Sequence, residues 1–193
     1  MDISSNCQIA GTERRVDSGP DVVFGLDAGD TGWVAFSLRV GSDEFTYDVS
    51  DLTDALGDLL RATLQIVCGG RTAEAVFELE PGDFFIRLER QAVAGRSVIG
   101  IRICEERGSG EVELFRAEAG SDLFAEAVLR AANSILAAGG EEAFAERWDF
   151  AFPSRALAAL ESALAVPVDD RRRTETAWNR LEGIAIMDCR DPT

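Results

Sequence analysis

The acidic side chains are the residues of this chain best placed to carry chemistry, because the chain contains neither His nor Lys. Without His there is no imidazole base for a serine or cysteine triad and no imidazole ligand for zinc. Without Lys there is no Schiff base and no P-loop lysine. Catalysis would have to use carboxylates, thiols, hydroxyls, backbone amides and arginine. We therefore predict no catalytic residue and no cofactor, and we expect a protein that is not an enzyme.

Neighbouring carboxylates such as Glu78 with Glu80, or Glu105 with Glu106, could in principle act as an acid and a base. Glycosidase-type chemistry needs two carboxyl groups in a cleft, one of them with a pKa raised by burial. The sequence pattern does not indicate burial of either pair, and with thirty-five acidic residues such pairs arise without a functional reason. We assign them no catalytic role.

The cysteines are scattered and predict neither a metal site nor a redox motif. Cys7, Cys68, Cys104 and Cys189 form no Cys-x-x-Cys pair, and no His is present to complete a zinc site. We interpret all four as reduced and structural, as in a cytoplasmic protein. Residues 1–20 carry charges where a signal peptide needs an apolar core, and no uncharged run is long enough to span a membrane. The sequence predicts a cytoplasmic protein without a membrane partner.

The charge balance limits the choice of partner. Nineteen basic residues against thirty-five acidic residues leave a net charge of −16. A field of this sign repels phosphate backbones, so we predict no nucleic-acid ligand. A basic protein partner would explain the charge, and so would simple solubility.

The stretch 73–117 predicts a four-stranded antiparallel meander. Apolar and polar residues alternate there in four runs, which indicates strands with one buried face and one exposed face. The connections are too short for crossover helices, so consecutive strands should pair antiparallel. The four runs cover 73–80, 83–90, 98–105 and 111–117.

The remaining elements predict an α+β fold. A short apolar run (22–26) suits an edge strand, and an N-terminal hairpin (33–40 and 45–49) follows it. The next element is a helix capped by Ser50 and closed by Gly69-Gly70. C-terminal helices then pack on one face of the sheet. They should cover 121–138, 141–148 and 154–165, with Gly139-Gly140 ending the first and the aromatic linker 148–152 buried in the core.

The domain organisation follows from the same pattern. We expect a mobile segment at 1–20, a single domain at 21–166, and a loosely docked tail at 167–193. The element order resembles the helix-grip and TATA-binding-protein-like topologies, and equally several small bacterial adaptor and chaperone folds.

The outer face of the meander is the predicted binding surface. Alternation places Phe77, Ile86 and Ile101 among the buried residues, with Val112 and Leu114 on the same side of the last strand. The candidate binding residues on the opposite face are Glu78, Phe85, Arg87, Arg102, Glu113 and Phe115. Such a mixed-charge, partly aromatic face could contact a partner. The alternative interpretation is a solvated face with cross-strand Arg/Glu pairs.

The segment Gly25-Leu26-Asp27-Ala28-Gly29-Asp30-Thr31 resembles the first phosphate loop of the sugar-kinase, actin and Hsp70 ATPase superfamily. In that superfamily a strand ends in Asp-x-Gly-x-Thr and a second strand turns back. The resemblance implies that Asp27 would act through a metal and that Gly29 and Thr31 would contact phosphate. We favour the other interpretation, a Gly/Asp turn between antiparallel strands, because short glycine motifs recur by chance.

Three functions therefore stand as hypotheses. The first is a non-enzymatic acidic binding protein, adaptor-like or immunity-like, that uses a sheet face or edge. The second is a small-molecule carrier or sensor with an apolar pocket between the sheet and the helix 121–138. The third is a metal-dependent nucleotide-binding protein at Asp27.

Overall fold

The computed structural model describes residues 19–28, 33–50, 53–79, 82–93, 96–108 and 110–171. Nearly all of the segment predicted to be mobile (1–20) and most of the predicted tail (167–193) lie outside this part of the chain, as do the turn residues 29–32 and 80–81. The elements, in chain order, are β1 Val22–Ala28, β2 Trp33–Val40, β3 Asp43–Ser50, α1 Ala55–Val67, β4 Thr72–Leu79, β5 Gly82–Val93, β6 Arg96–Arg107, β7 Gly110–Gly120, α2 Ser121–Trp148 and α3 Ser154–Ala165. A short 3-10 turn, Val168–Asp170, follows α3.

The strands form two antiparallel sheets, which confirms the predicted α+β class. The first sheet has the order β1-β2-β3 and the second has the order β4-β5-β6-β7. The second sheet is the predicted meander, with each strand paired to the next in the chain. The predicted N-terminal hairpin gains β1 as a third strand and forms a sheet of its own.

Aromatic rings hold the two sheets together at the centre of the core. Phe36 on β2 is fully buried, and its ring meets Phe24 of its own sheet edge-on at 5.2 Å between centroids. The same ring meets Phe77 and Phe84 of the other sheet at 5.9 and 5.4 Å, also edge-on. These contacts fix the position of β2, and through it the position of the neighbouring edge strand β1.

Helix α1 joins the two sheets and begins later than the sequence predicts. Its N-cap is Asp54, whose carboxylate accepts a hydrogen bond of 3.0 Å from the backbone N–H of Gly57. The predicted cap Ser50 is wrong, because β3 continues through this residue, which pairs with Trp33 and is buried. The predicted glycine closure is confirmed, since Gly69 has a φ of 106° directly after the helix.

Helix α2 is bent where the sequence predicts an end. Gly140 has a φ of 76° and a ψ of −177°, so the helical path breaks there and resumes toward Trp148. After the bend, Phe144 stacks on Trp148 and meets Phe152 edge-on, both at 5.1 Å between centroids. All three rings are buried, so Trp148 and Phe152 of the predicted aromatic linker belong to the core, whereas Phe150 between them is half-buried. None of the described helices is long and apolar enough to cross a membrane.

A buried ion pair ties the end of the described chain to the start of α2. The Arg171 guanidinium donates to both carboxylate oxygens of Asp122, at 2.6 and 2.9 Å. Arg171 is only 5% exposed. Residues 172–193, which hold the rest of the predicted tail, lie outside the described residues.

Candidate functional site

The outer face of the four-stranded sheet carries most of the predicted binding residues, and Arg87 lies at the centre of an ion-pair network there. Its guanidinium donates to Glu74 and to Glu111, each at 2.5 Å, and lies 5.0 Å from the centroid of the Phe85 ring. These two hydrogen bonds raise the pKa of Arg87. The same contact, with a second hydrogen bond from Cys104, lowers the pKa of Glu111. Both groups are therefore fixed in their charged forms by each other.

Three other residues predicted for this face, Arg102, Glu113 and Glu78, do not form one cluster with Arg87. Arg102 lies between Arg87 and Arg116 in cross-strand register. Glu113 is bound by Arg116 through two hydrogen bonds of 2.9 and 2.6 Å. Glu78 is exposed near the end of β4, where its backbone N–H reaches the Thr53 hydroxyl at 3.4 Å. Most of the charges on this face thus serve pairs within the face itself.

The placement of Phe115 on this outer face is wrong, because β7 contains a bulge. Ile103 pairs with Phe115 whereas the next residue, Cys104, pairs with Glu113, so Leu114 is an extra residue in β7. One extra residue shifts the alternation, since side chains follow a period of two. Phe115 therefore faces the core, where its ring lies 5.7 Å from that of Phe45.

Glu105, one of the paired carboxylates, is buried but is not poised as an acid. Its carboxylate accepts a hydrogen bond of 2.8 Å from Nε of Arg107, whose Nη2 lies 2.6 Å from the same oxygen, and Tyr47 lies against it. These contacts, led by Arg107, lower the pKa of Glu105. A general acid at neutral pH needs the opposite shift. The geometry gives this carboxylate a structural role.

The edge of β1 is the second candidate site, and its backbone geometry defines it. The backbone N–H of Gly41 donates to the carbonyl of Asp21, so the pairs 21/41, 23/39, 25/37 and 27/35 share the hydrogen bonds of the β1–β2 ladder. Antiparallel strands alternate between hydrogen-bonded and non-hydrogen-bonded pairs. The N–H and C=O groups of Val22, Phe24 and Leu26 therefore point away from β2, toward the open edge.

One side-chain contact confirms this direction. Arg130 on α2 donates to the carbonyl oxygen of Val22 at 3.1 Å. Within the described part of the chain, no hydrogen bond from another element ends on the outward backbone groups of Phe24 or Leu26. No described residue therefore bonds the outward donors and acceptors of these two residues of β1, which is the arrangement that pairing with another strand requires.

The edge strands of the two sheets differ in the charges that they carry. Edge strand β3 carries three acidic residues, β7 carries four charged residues and the bulge, and β4 carries two glutamates and packs against α1, as β1 packs against α2. Charged side chains, bulges and covering helices are the usual devices that prevent edge pairing. The five residues from Val22 to Leu26 contain no charge at all. Of the described edges, β1 is the one best suited to accept a strand.

A groove of about 820 Å³ runs between this edge and α2. Its β1 side is formed by Val23, Phe24, Leu26 and their neighbours, and its helix side includes Ala131 and Ala138. The bend at Gly140 turns the second half of α2, so that Phe144 and Trp148 also line the groove. The small side chains of the first half leave space beside the strand edge.

The charges around the groove are mixed. Asp27 and Glu146 are acidic, whereas Arg130 and Arg147 are basic, and all four are exposed. Among the described residues, no group of three or more Cys, Asp or Glu side chains is placed to hold a metal ion. The hypothesis of nucleotide binding at Asp27 also depends on Gly29 and Thr31, which lie outside the described residues.

Sequence reasoning offered a pocket between the sheet and the helix 121–138 as an alternative, but it did not identify the edge of β1 as one wall, although part of that signal was visible. An uncharged apolar run at the N-terminal edge of a sheet is a recognisable warning of an open edge. The complementary part, the alanines of α2 lying beside β1, depends on tertiary packing. Comparisons with protein-family models, with curated proteins and with solved structures found no match for this chain. Its function must therefore be argued from the geometry and charge of the groove.

Proposed function

We propose that this chain is a non-enzymatic binding protein that accepts an extended segment of a basic partner protein as an additional strand on β1. The observation that carries the proposal is the row of outward backbone groups at Phe24 and Leu26, which no described residue bonds and which face an open groove. Strand addition uses main-chain hydrogen bonds for affinity and side-chain pockets for specificity. An adaptor-like or immunity-like role fits this mode of binding.

The size and lining of the groove support a strand as the occupant. A strand added to β1 would place alternate side chains over α2, where Ala131 and Ala138 leave room for them. Its backbone would satisfy donors and acceptors that no described residue bonds. A single-residue shift is disfavoured, because it would turn the apolar side chains of the segment away from α2.

The net charge of −16 supports a basic partner over a second copy of the chain. Two copies would repel each other, whereas a basic partner is attracted and its association is accelerated. The same charge makes a nucleic acid an unfavourable partner. Cys104 is buried and forms no disulfide with any described residue, which fits a reducing compartment, and we therefore propose a cytoplasmic location.

The test is a selection from a library of random linear peptides displayed on phage, with a pair of neighbouring variants as the controls. Ala137 and Ala138 are both exposed alanines of α2, but only Ala138 lines the groove. We expect Ala138→Trp to abolish peptide enrichment by filling the groove, and Ala137→Trp to retain it. Equal enrichment with both variants, or no enrichment with the natural chain, would overturn the proposal.

Amide hydrogen exchange of the free protein identifies other occupants of the edge. We expect the N–H groups of Phe24 and Leu26 to exchange faster than that of Gly25, which belongs to the β1–β2 ladder. Protection of Phe24 and Leu26 only at high protein concentration would indicate a second copy at the edge. Protection at every concentration would indicate a segment of the same chain. Either result contradicts a partner segment as the occupant.

A small apolar ligand is the second candidate for the same groove, since about 820 Å³ falls within the range of ligand pockets. Pockets of that class enclose most of the ligand surface, whereas this groove is open along the strand edge. The two candidates give different exchange results, because a small apolar molecule cannot form backbone pairs with both Phe24 and Leu26. Groove binding without protection of these two amides would favour the small molecule.

A further inference from the structure

We infer that the partner segment alternates between apolar residues that face α2 and outward residues, and that a basic side chain lies at the outward position opposite Asp27. This inference rests on the proposed function and deepens it, since it states the chemical class of the segment. It follows from which side of the sheet each β1 residue faces and from the charge found there.

The inward positions are defined by the core residues of β1. Side chains directly opposite each other on neighbouring strands share one face of the sheet. Phe24 and Leu26 point into the core, so partner residues opposite them point toward α2. There they meet Ala131, Ile135 and Ala138, whose side chains carry no polar atom. Apolar residues of the partner suit the positions opposite these three side chains because a polar group would lose its hydration there, whereas Arg130 and Ser134 line other parts of the same groove.

The outward positions are defined by the opposite face of the same strand. Gly25 has no side chain, and its Cα faces Ser37 so closely that an added Cβ would lie 2.6 Å from the Ser37 hydroxyl oxygen. Gly25 and Ser37 line a shallow depression of about 310 Å³, which is bordered by Asp27 on β1 and by Asp48 on β3. A long side chain from an added strand can lie across this depression without meeting a bulky neighbour.

The charge of this depression selects a cation. Asp27 and Asp48 are both exposed, and neither forms an ion pair with any residue that the structure describes. They border the same depression across Ala35, which lies between them in cross-strand register. A lysine or arginine of the partner opposite Asp27 would form a cross-strand pair of opposite charge, which is a favourable arrangement on an antiparallel sheet.

The experiment compares peptides enriched by the natural chain with peptides enriched by Asp27→Asn. The matched control is Glu44→Gln, which removes the same charge from the exposed outer face at the far edge of the same sheet. We expect alternating apolar sequences in all three selections. We expect a preferred basic residue with the natural chain and with Glu44→Gln, and its loss with Asp27→Asn.

The contribution of the basic residue to affinity is measured by titrating one enriched peptide and its twin, in which glutamine replaces the basic residue. Asp27→Asn should weaken binding of the basic peptide by about twofold to fivefold, the range expected for one exposed cross-strand pair. The same substitution should leave binding of the twin unchanged. Equal losses for both peptides, or a basic preference that persists in Asp27→Asn, would overturn the inference.

Failure of the inference and failure of the proposed function give different results. If peptides are enriched and Ala138→Trp abolishes the enrichment, but no basic residue is preferred, the strand-addition site stands and the assigned chemistry is wrong. If Ala138→Trp and the natural chain enrich the same peptides, the groove is not the binding site and the proposed function itself is wrong.

Discussion

Replacement of Phe36 by leucine should destabilise the protein more than the same replacement at any equally buried phenylalanine without ring contacts. Phe124 on α2 is the matched control, because it is also fully buried and has no ring contact with any described residue. Both substitutions lose similar volume, at about 1 to 2 kcal/mol. Phe36→Leu also loses four ring contacts at 5.2 to 6.1 Å between centroids, with Phe24, Phe45, Phe77 and Phe84.

Edge-to-face pairs contribute about 0.5 to 1.5 kcal/mol each beyond area burial, and four pairs around one ring overlap rather than add. We therefore expect Phe36→Leu to lower the free energy of unfolding by about 2 kcal/mol more than Phe124→Leu does. Urea unfolding followed by fluorescence and by circular dichroism measures both values and checks that the transition is two-state. Equal losses for the two variants would show that the rings do not hold the sheets together, which would refute the packing described above.

Three further predictions concern buried polar groups. Because the folded-state pKa of Glu105 is lowered, its stabilising effect is present above its ordinary pKa of 4.5 and is lost as pH falls through the folded value. Glu105→Gln should therefore lower the free energy of unfolding at pH 7 and lower it less in acid. The exposed control Glu106→Gln should show no such pH trend in urea unfolding. Asp122→Asn should cost about 1 to 3 kcal/mol in the same assay, since it weakens the partner of buried Arg171, and an unchanged free energy of unfolding would contradict that contact. Burial raises the pKa of the Cys104 thiol, so iodoacetamide at pH 8 should modify it only on unfolding, and mass spectrometry showing modification of the folded protein would contradict its burial.

Much of the fold could be predicted from the sequence, because local pattern and tertiary structure agree in most elements. Alternation from Ala73 to Ala117 identified all four strands of the meander and their antiparallel order. Glycines also marked true boundaries, at Gly69 and at Gly140, where the backbone adopts positive φ angles. These signals are local, so they can be recognised in the sequence without knowledge of the tertiary packing.

The errors arose where pairing between strands overrode the local pattern. Serine is a common residue at helix N-caps, but the pairing of Ser50 with Trp33 keeps it in β3. Phe115 follows the outward alternation of β7, but the bulge at Leu114 turns it into the core. Neither the register of a neighbouring strand nor a bulge can be read from alternation within one strand.

The candidate site was predicted as a sheet face or a sheet edge, with a pocket between the sheet and the helix 121–138 as the alternative. The face residues were identified individually, yet their partners show that Arg87 and Glu113 serve ion pairs within the sheet. The edge site depends on backbone groups of Phe24 and Leu26, which are the same in every residue type. Only the register of β1 against β2 shows that they point outward, and only the position of α2 shows that they face a groove.

Amide hydrogen exchange in the presence of an enriched peptide tests the central claim most directly. Strand addition to β1 predicts that the N–H groups of Phe24 and Leu26 become protected when the peptide is added, whereas Gly25, already bonded to β2, changes little. The Ala138→Trp variant should show no such protection. Peptide binding that leaves the N–H groups of Phe24 and Leu26 unprotected would contradict the claim.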